Sequence, residues 1–349
     1  MNLGRCIGLL ALIIALYILW QIRQLLLLAF TAIVLATALN QLVKQLQQWK
    51  LRRSFAIWLS VGTLLIILLV FFLLIVPPFV QQSERLIELL PSSITEIEEI
   101  LERLISFLPE QPWLDFTEID NLFQQVQPLI QRFVDQSLNI FLSSINTVLQ
   151  LLLVLVLTLM FLINPRPYLH LFTRLFPSFY RQRVTEIIAR CETALGSWTT
   201  GVLIEMVFIA VLSGIGLWIL QVPLALAHAV IAGLLNFIPN VGPTLSVVLP
   251  MAIALLDAPW KAGAVLILYL VIQQIESYWL TPTIMAKQVS LLPAITLISQ
   301  LVFASLFGAL GLLIALPLTI VVGTWIEEIL FKDFLDKWKK NSTKTLTNN

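Results

Sequence analysis

Two carboxylates stand where a chain this apolar has little reason to keep them. Glu205 lies in the apolar run 198–220 and Glu276 in the run 262–280, and each is the only charged residue of its run. An acid inside such a run is expensive to hold there and marks an ion or substrate route by default. Two acids at similar depth can share a proton or hold a cation, because like charges brought close outside water cannot both stay bare. Gln273, Gln274 and Tyr278 lie beside Glu276 and offer further polar contacts. The plainer alternative for either acid is a side chain snorkelling to the headgroups or bonded to a neighbouring helix. His228 can relay a proton, since imidazole titrates near neutrality, or can be a hydrogen-bonded core histidine. Asn236 and Asn240 carry amides that can bind a solute or cap helix ends.

The elements that must position these groups are broken ones. Residues 222–250 read as two apolar runs separated by Asn236, Phe237, Ile238, Pro239, Asn240, Val241, Gly242 and Pro243. A bilayer-spanning helix needs roughly 20 apolar residues, and neither run reaches that alone. Pro239 and Pro243 remove backbone donors, and Gly242 permits dihedrals that break a helix. Residues 291–317 repeat the design weakly, with Pro293, then Gly308 and Gly311, then Pro317. Paired short, Pro/Gly-interrupted segments point to a transporter's binding site, where helix ends face solute or ion. Gly308 and Gly311 therefore join Pro239, Asn240, Gly242 and Pro243 as candidates for the substrate or ion route.

Composition sets the class. The 349 residues are 59% hydrophobic and 12% charged, against about 25% charged in a soluble domain. The net charge of +1 gives no electrostatic case for nucleic acid. Cys6 and Cys191 form no CxxC pattern and read as reduced structural thiols. His170 and His228 are not in HExxH spacing, and no phosphate loop or GxSxG occurs, so neither an enzyme nor a cofactor is expected.

Apolar segments at 6–22, 24–43, 54–78, 141–163, 198–220 and 262–280, with the two broken stretches 223–256 and 292–328, predict an all-α polytopic membrane protein. That is about six full transmembrane helices plus two broken or re-entrant helical hairpins, eight to ten membrane segments in all. If the loops rich in Lys and Arg, Arg5 and the tail are placed in the cytoplasm, 16 of 21 basic residues lie inside, and both termini are cytoplasmic. Region 81–140, with 11 acidic and 3 basic residues, then faces outward. Its capping boxes and the spacing of Ile94, Ile97, Leu101, Leu104 and Leu108 predict amphipathic helices. The basic stretch 166–197 is placed at the inner headgroup surface. The expected organisation is N-terminal transmembrane helices over 1–80, an extracytoplasmic helical region over 81–140, a transport core over 141–331 and a basic cytoplasmic tail over 332–349.

Ile238-Pro239-Asn240-Val241-Gly242-Pro243, Gln273-Gln274-Ile275-Glu276, Pro282, Leu291-Leu292-Pro293, Phe307-Gly308 with Gly311, and Pro317 together resemble the AI-2E family of PerM-type bacterial permeases. The likeness covers nearly the whole chain. It implies an oligomeric inner-membrane transporter. Some members are linked to export of the autoinducer-2 signal and others to sodium or lithium/proton antiport. Asn240 stands where that family often has an aromatic residue, and Thr283 to Lys287 lacks the glycine often found near Met285. The resulting expectation is a secondary transporter working by alternating access around the broken hairpins and exporting a small polar solute or signal. Ion coupling would run through Glu276. The rivals are a Na+(Li+)/H+ antiporter and, from another class, a membrane scaffold without transport.

Overall fold

The computed structural model describes residues 10, 13–15, 17–74, 145–285 and 292–335. The acidic region 81–140 and the tail beyond residue 335 lie outside the described residues. Within them the elements are α1 Arg23–Gln48, α2 Arg53–Leu74, α3 Ile145–Ile163, α4 Arg166–Arg174, α5 Arg181–Ile219, α6 Ala225–Leu235, α7 Val241–Asp257, α8 Pro259–Ile275, α9 Thr281–Met285 and α10 Pro293–Trp325. π-helical turns, Glu276–Leu280 and Ile326–Leu335, follow α8 and α10. Five helices are long and apolar enough to cross a membrane, or up to six if α3 and α4, bent from each other by 93°, count as one span. The bend falls at Asn164-Pro165-Arg166-Pro167, where two missing backbone donors and two proline rings end α3. The protein is thus the all-α polytopic membrane protein that composition predicts.

One expectation about the layout changes. Residues 181–197 do not form an element separate from the following span, because Arg181–Ile219 is a single 39-residue helix. At ~1.5 Å per residue it covers ~58 Å, about twice the hydrocarbon core.

The chain divides into two compact units. The first comprises residues 1–61, 149–201 and 287–349. Leu28 and Ala32 of α1 pack there with Val154 of α3, flanked by Leu35, Leu157, Phe161 and Leu310. Thr158 satisfies its hydroxyl by donating to Val154 O at 2.6 Å. The unit also holds an ion cluster. Glu328, 2% exposed, accepts from Arg183 at 2.8 Å, Arg190 at 2.5 Å and Lys332 at 2.6 Å. Arg183 also reaches Asp333 at 3.1 Å.

The second unit comprises residues 62–148 and 202–286. Here α5 turns Glu205, Ile209, Ser213 and Leu217 inward, four residues apart, while Val207, Val211 and Trp218 are 64%, 52% and 75% exposed. Polar groups inside and apolar groups outside is the pattern that lipid selects. α5 ends in a Schellman motif: Val222 N–H donates to Leu217 O at 3.0 Å and Gln221 N–H to Trp218 O at 3.0 Å. Gln221 occupies the left-handed position at φ 54°, and Leu217 and Val222 bury their side chains in one cluster beside the motif.

Candidate functional site

The first broken stretch is a helical hairpin, α6 and α7, closed by a strained turn. α6 stops at Asn236, and Ile238 N–H donates back to Leu235 O at 2.9 Å. Pro239, Asn240 and Val241 then form a γ-turn. Val241 N–H donates to Pro239 O at 2.8 Å, and Asn240 takes φ 67°, ψ −48°, an uncommon conformation that costs backbone energy. Gly242 follows so closely against the outgoing chain that a Cβ there would overlap the Leu235 carbonyl and lie 3.0 Å from Asn236 N. In a straight helix those residues would be ~10 Å apart along the axis, so the chain has reversed. Pro243 sits in the first turn of α7, where a missing N–H leaves no helical bond unmade.

The second broken stretch, in the other unit, makes the same kind of reversal inside α10. Gly308 adopts φ 65°, ψ −147°, a region open essentially to glycine alone. Gly311 then packs on Phe303, so that a Cβ would lie 2.9 Å from its carbonyl carbon and 2.7 Å from Phe307 Cβ. Each break therefore combines one left-handed residue with one glycine pressed on the backbone it has just left.

Against the first hairpin, α5 runs antiparallel. A Cβ on Gly233 would stand 2.5 Å from Met206 O and 2.8 Å from Ala210 Cβ, and one on Gly214 would stand 3.2 Å from Ala229 Cβ. Contacts thus advance along α5 as they retreat along α6, which sets Glu205 level with Asn236. α8 runs antiparallel to α5 as well, with Leu268 on Gly216 and Trp279 5.8 Å from Phe208 between ring centroids. That register brings Glu276 to the same level.

At this level the candidate residues meet. Asn236 Nδ2 donates to Glu276 Oε1 at 3.0 Å. Glu205 lies close enough to Glu276 for their charges to interact, with Thr281 nearby. Asn236, Glu205 and Glu276 are 3%, 5% and 9% exposed. Asn236 Oδ1, Glu205 Oε1 and Glu276 Oε2 are all buried without a hydrogen-bond partner. Three orphaned acceptor oxygens in one buried place call for a proton or a cation, because buried acceptors left unmatched cost free energy. Glu276 opens the π-helical turn after α8; such turns break helical regularity and recur at functional sites.

The remaining candidates fall elsewhere. Gln273 is half-buried, while Gln274 and Tyr278 are exposed, so helical rotation carries the latter pair away from Glu276. His228 is buried with Nε2 unpartnered, two turns of α6 from Asn236. Gly308 and Gly311 belong to the other unit. Thr281 escaped the sequence reading. So did Gly233, whose lack of a side chain lets α5 and α6 approach. A glycine three residues before the acid-binding Asn236 is the available signal for the latter.

Comparison with known proteins gives a consistent result. A family model described as AI-2E family transporter matches residues 9–331. The "Putative transport protein YhhT" of Escherichia coli K12 is 28% identical over 321 residues, covering 88% of this chain and 84% of that protein. The "Putative transport protein YueF" of Bacillus subtilis is 26% identical over 300 residues, covering 83% and 80%. The "AI-2 transport protein TqsA" of Escherichia coli K12 is 24% identical over 305 residues, covering 85% and 84%.

Proposed function

The chain belongs to the AI-2E transporter family, and we propose that it exports a small polar solute, of the autoinducer-2 kind, by alternating access coupled to an ion at Glu205 and Glu276. The observation that carries this reading is the trio of unpartnered acceptors, Asn236 Oδ1, Glu205 Oε1 and Glu276 Oε2. A proton on Glu276 Oε2 can be donated to Asn236 Oδ1 while Asn236 Nδ2 continues to donate to Oε1. Amide and acid then satisfy each other completely. Loss of that proton leaves acceptor facing acceptor, and a cation among the oxygens restores the balance. Asn236 caps the end of α6 where the chain enters the break, so occupancy of the acid site is transmitted to the break. The charge state thereby biases the hairpin between two arrangements, as ion-coupled exchange requires. The protein is placed in the bacterial inner membrane with both termini cytoplasmic, and it works as a homo-oligomer.

The same oxygens favour a second reading, Na+(Li+)/H+ antiport, in which the cation is the cargo. Purified protein in proteoliposomes separates these. A panel of polar solutes and of Na+ and Li+ is assayed with and without an imposed pH gradient. Solute movement driven by the gradient and lost in Glu276→Gln supports coupled export. Gradient-driven Na+ or Li+ movement alone supports antiport, and the absence of any flux supports a scaffold.

A further inference from the structure

A second set of buried polar groups lies on the same three helices, one layer from the acids. Ser213, His228 and Tyr269 are 0%, 3% and 8% exposed, and Ser213 Oγ, His228 Nε2 and Tyr269 Oη are buried without a hydrogen-bond partner. The Ser213 and Tyr269 hydroxyls are nevertheless neighbours, and His228 joins their level through the contact of Gly214 with Ala229. Ser213 is two turns beyond Glu205 on α5, His228 two turns before Asn236 on α6, and Tyr269 two turns before Glu276 on α8. The layers are therefore ~10–12 Å apart on all three helices. Between them each helix contributes one buried apolar residue, Ile209, Ala232 and Ile272, in a single cluster.

Three helices repeating polar, apolar, polar in register is not what a passive lipid-buried core needs. Unmatched hydroxyl and imidazole groups would be cheaper as apolar ones. The chemistry of the second layer is that of proton transfer. Both hydroxyls donate and accept, and imidazole accepts at one nitrogen and releases from the other. Space also excludes a larger guest, since Gly214 and Ala229 bring α5 and α6 into close contact at this level. The neighbouring helices bring few groups to the level of His228. α5 brings Ser213, α8 brings Tyr269, and α7 brings apolar Ile253 and Ala254 to the cluster. The acid of α7, Asp257, pairs with Lys261 at the helix end.

We propose that Ser213, His228 and Tyr269 form a proton station that loads and unloads the Glu205–Glu276 pair across the apolar layer of Ile209, Ala232 and Ile272. This rests on the reading of those acids as the ion site. A proton taken from water at one imidazole nitrogen leaves through the hydroxyl pair, each group returning to its starting state, and reaches a carboxylate oxygen along water that enters the apolar layer when the hairpin rearranges; in the arrangement seen here that layer is shut.

The test follows carboxyl protonation by infrared difference spectroscopy on the full chain in sealed vesicles, after a pH step in the external medium. The carboxyl band that disappears in Glu276→Gln is the signal. Its equilibrium amplitude reports the acid site, and its rate reports access. With protein inserted in both orientations, the rise has one phase for each access route. Tyr269→Phe and Ser213→Ala keep size and packing, and His228→Gln keeps a polar side chain; each is expected to slow one phase by about tenfold or more with amplitude unchanged. Unchanged rates in all three variants, with the band present, overturn the station and leave the acid site standing. A band absent from the unmodified protein removes the acid site itself.

Discussion

Asn236 donates its side-chain amide to Glu276 across 3.0 Å, joining the residue that ends α6 to the residue that opens the π-helical turn after α8. They stand forty positions apart in the chain, and both side chains are buried. The bond ties the hairpin's break to the buried acid Glu276, and its strength can be measured. Asn236→Ala and Glu276→Ala, alone and together, are expected to show a coupling free energy of about 0.6–2 kcal/mol in reversible unfolding. The single variant Asn236→Ala leaves both carboxyl oxygens of Glu276 unpartnered and should cost about 1–3 kcal/mol. Additive effects would mean that the amide and the acid act independently.

The two breaks predict different sensitivities at their glycines. Gly242→Ala places a methyl against the Leu235 carbonyl, which cannot yield without undoing the turn, and should cost about 1–3 kcal/mol. Gly308→Ala meets no atom within 4 Å; its cost, also about 1–3 kcal/mol, comes from the backbone conformation alone. Asn240→Gly should raise stability by up to about 1 kcal/mol, since it relieves the γ-turn. These variants should insert normally and differ in unfolding midpoint. Wild-type stability in both Gly242→Ala and Gly308→Ala would refute the hairpin reversals described above.

Much of this site is legible in the sequence because lipid makes charge and helix breaks conspicuous. Glu205 and Glu276 stand alone in apolar runs, and Pro239, Gly242 and Pro243 interrupt one. The partner of Glu276 stands out for a different reason: Asn236 is an amide beside a break, and only the antiparallel packing of α6 and α8 on α5 joins the two. Ser213 and Tyr269 passed unnoticed, since a lone hydroxyl in an apolar run is common and nothing local says which way it points. Gln274 shows the reverse error of adjacency: it lies two residues from Glu276, yet the helix turns it outward. Glu328 is a third case. Nothing in the sequence singles it out, yet it is buried at the centre of three cations drawn from α5 and the turn after α10.

The apolar layer yields the most demanding prediction. If Ile209, Ala232 and Ile272 separate two proton-holding layers, wetting that layer should open a leak. Ile272→Thr changes size little and adds a hydroxyl between Tyr269 and Glu276 on α8. A hydroxyl there can hold a water in a position now sealed by a methylene, and lowering the barrier by ~1.4 kcal/mol raises the rate about tenfold. Proteoliposomes carrying an internal pH-sensitive dye, with no solute gradient, should therefore acidify about tenfold faster with Ile272→Thr than with the unmodified protein. Ile267→Thr supplies the control, because Ile267 is 63% exposed on the outer face of the same helix and should leave the leak at its basal rate. Adding Glu205→Gln and Glu276→Gln together to Ile272→Thr should suppress the leak, since the proton then has no carboxylate to reach. Adding Tyr269→Phe should suppress it as well, from the opposite side of the layer. A leak that appears equally in Ile267→Thr would be general loosening of the helices, and a leak that survives both second substitutions would run by a route that avoids these layers.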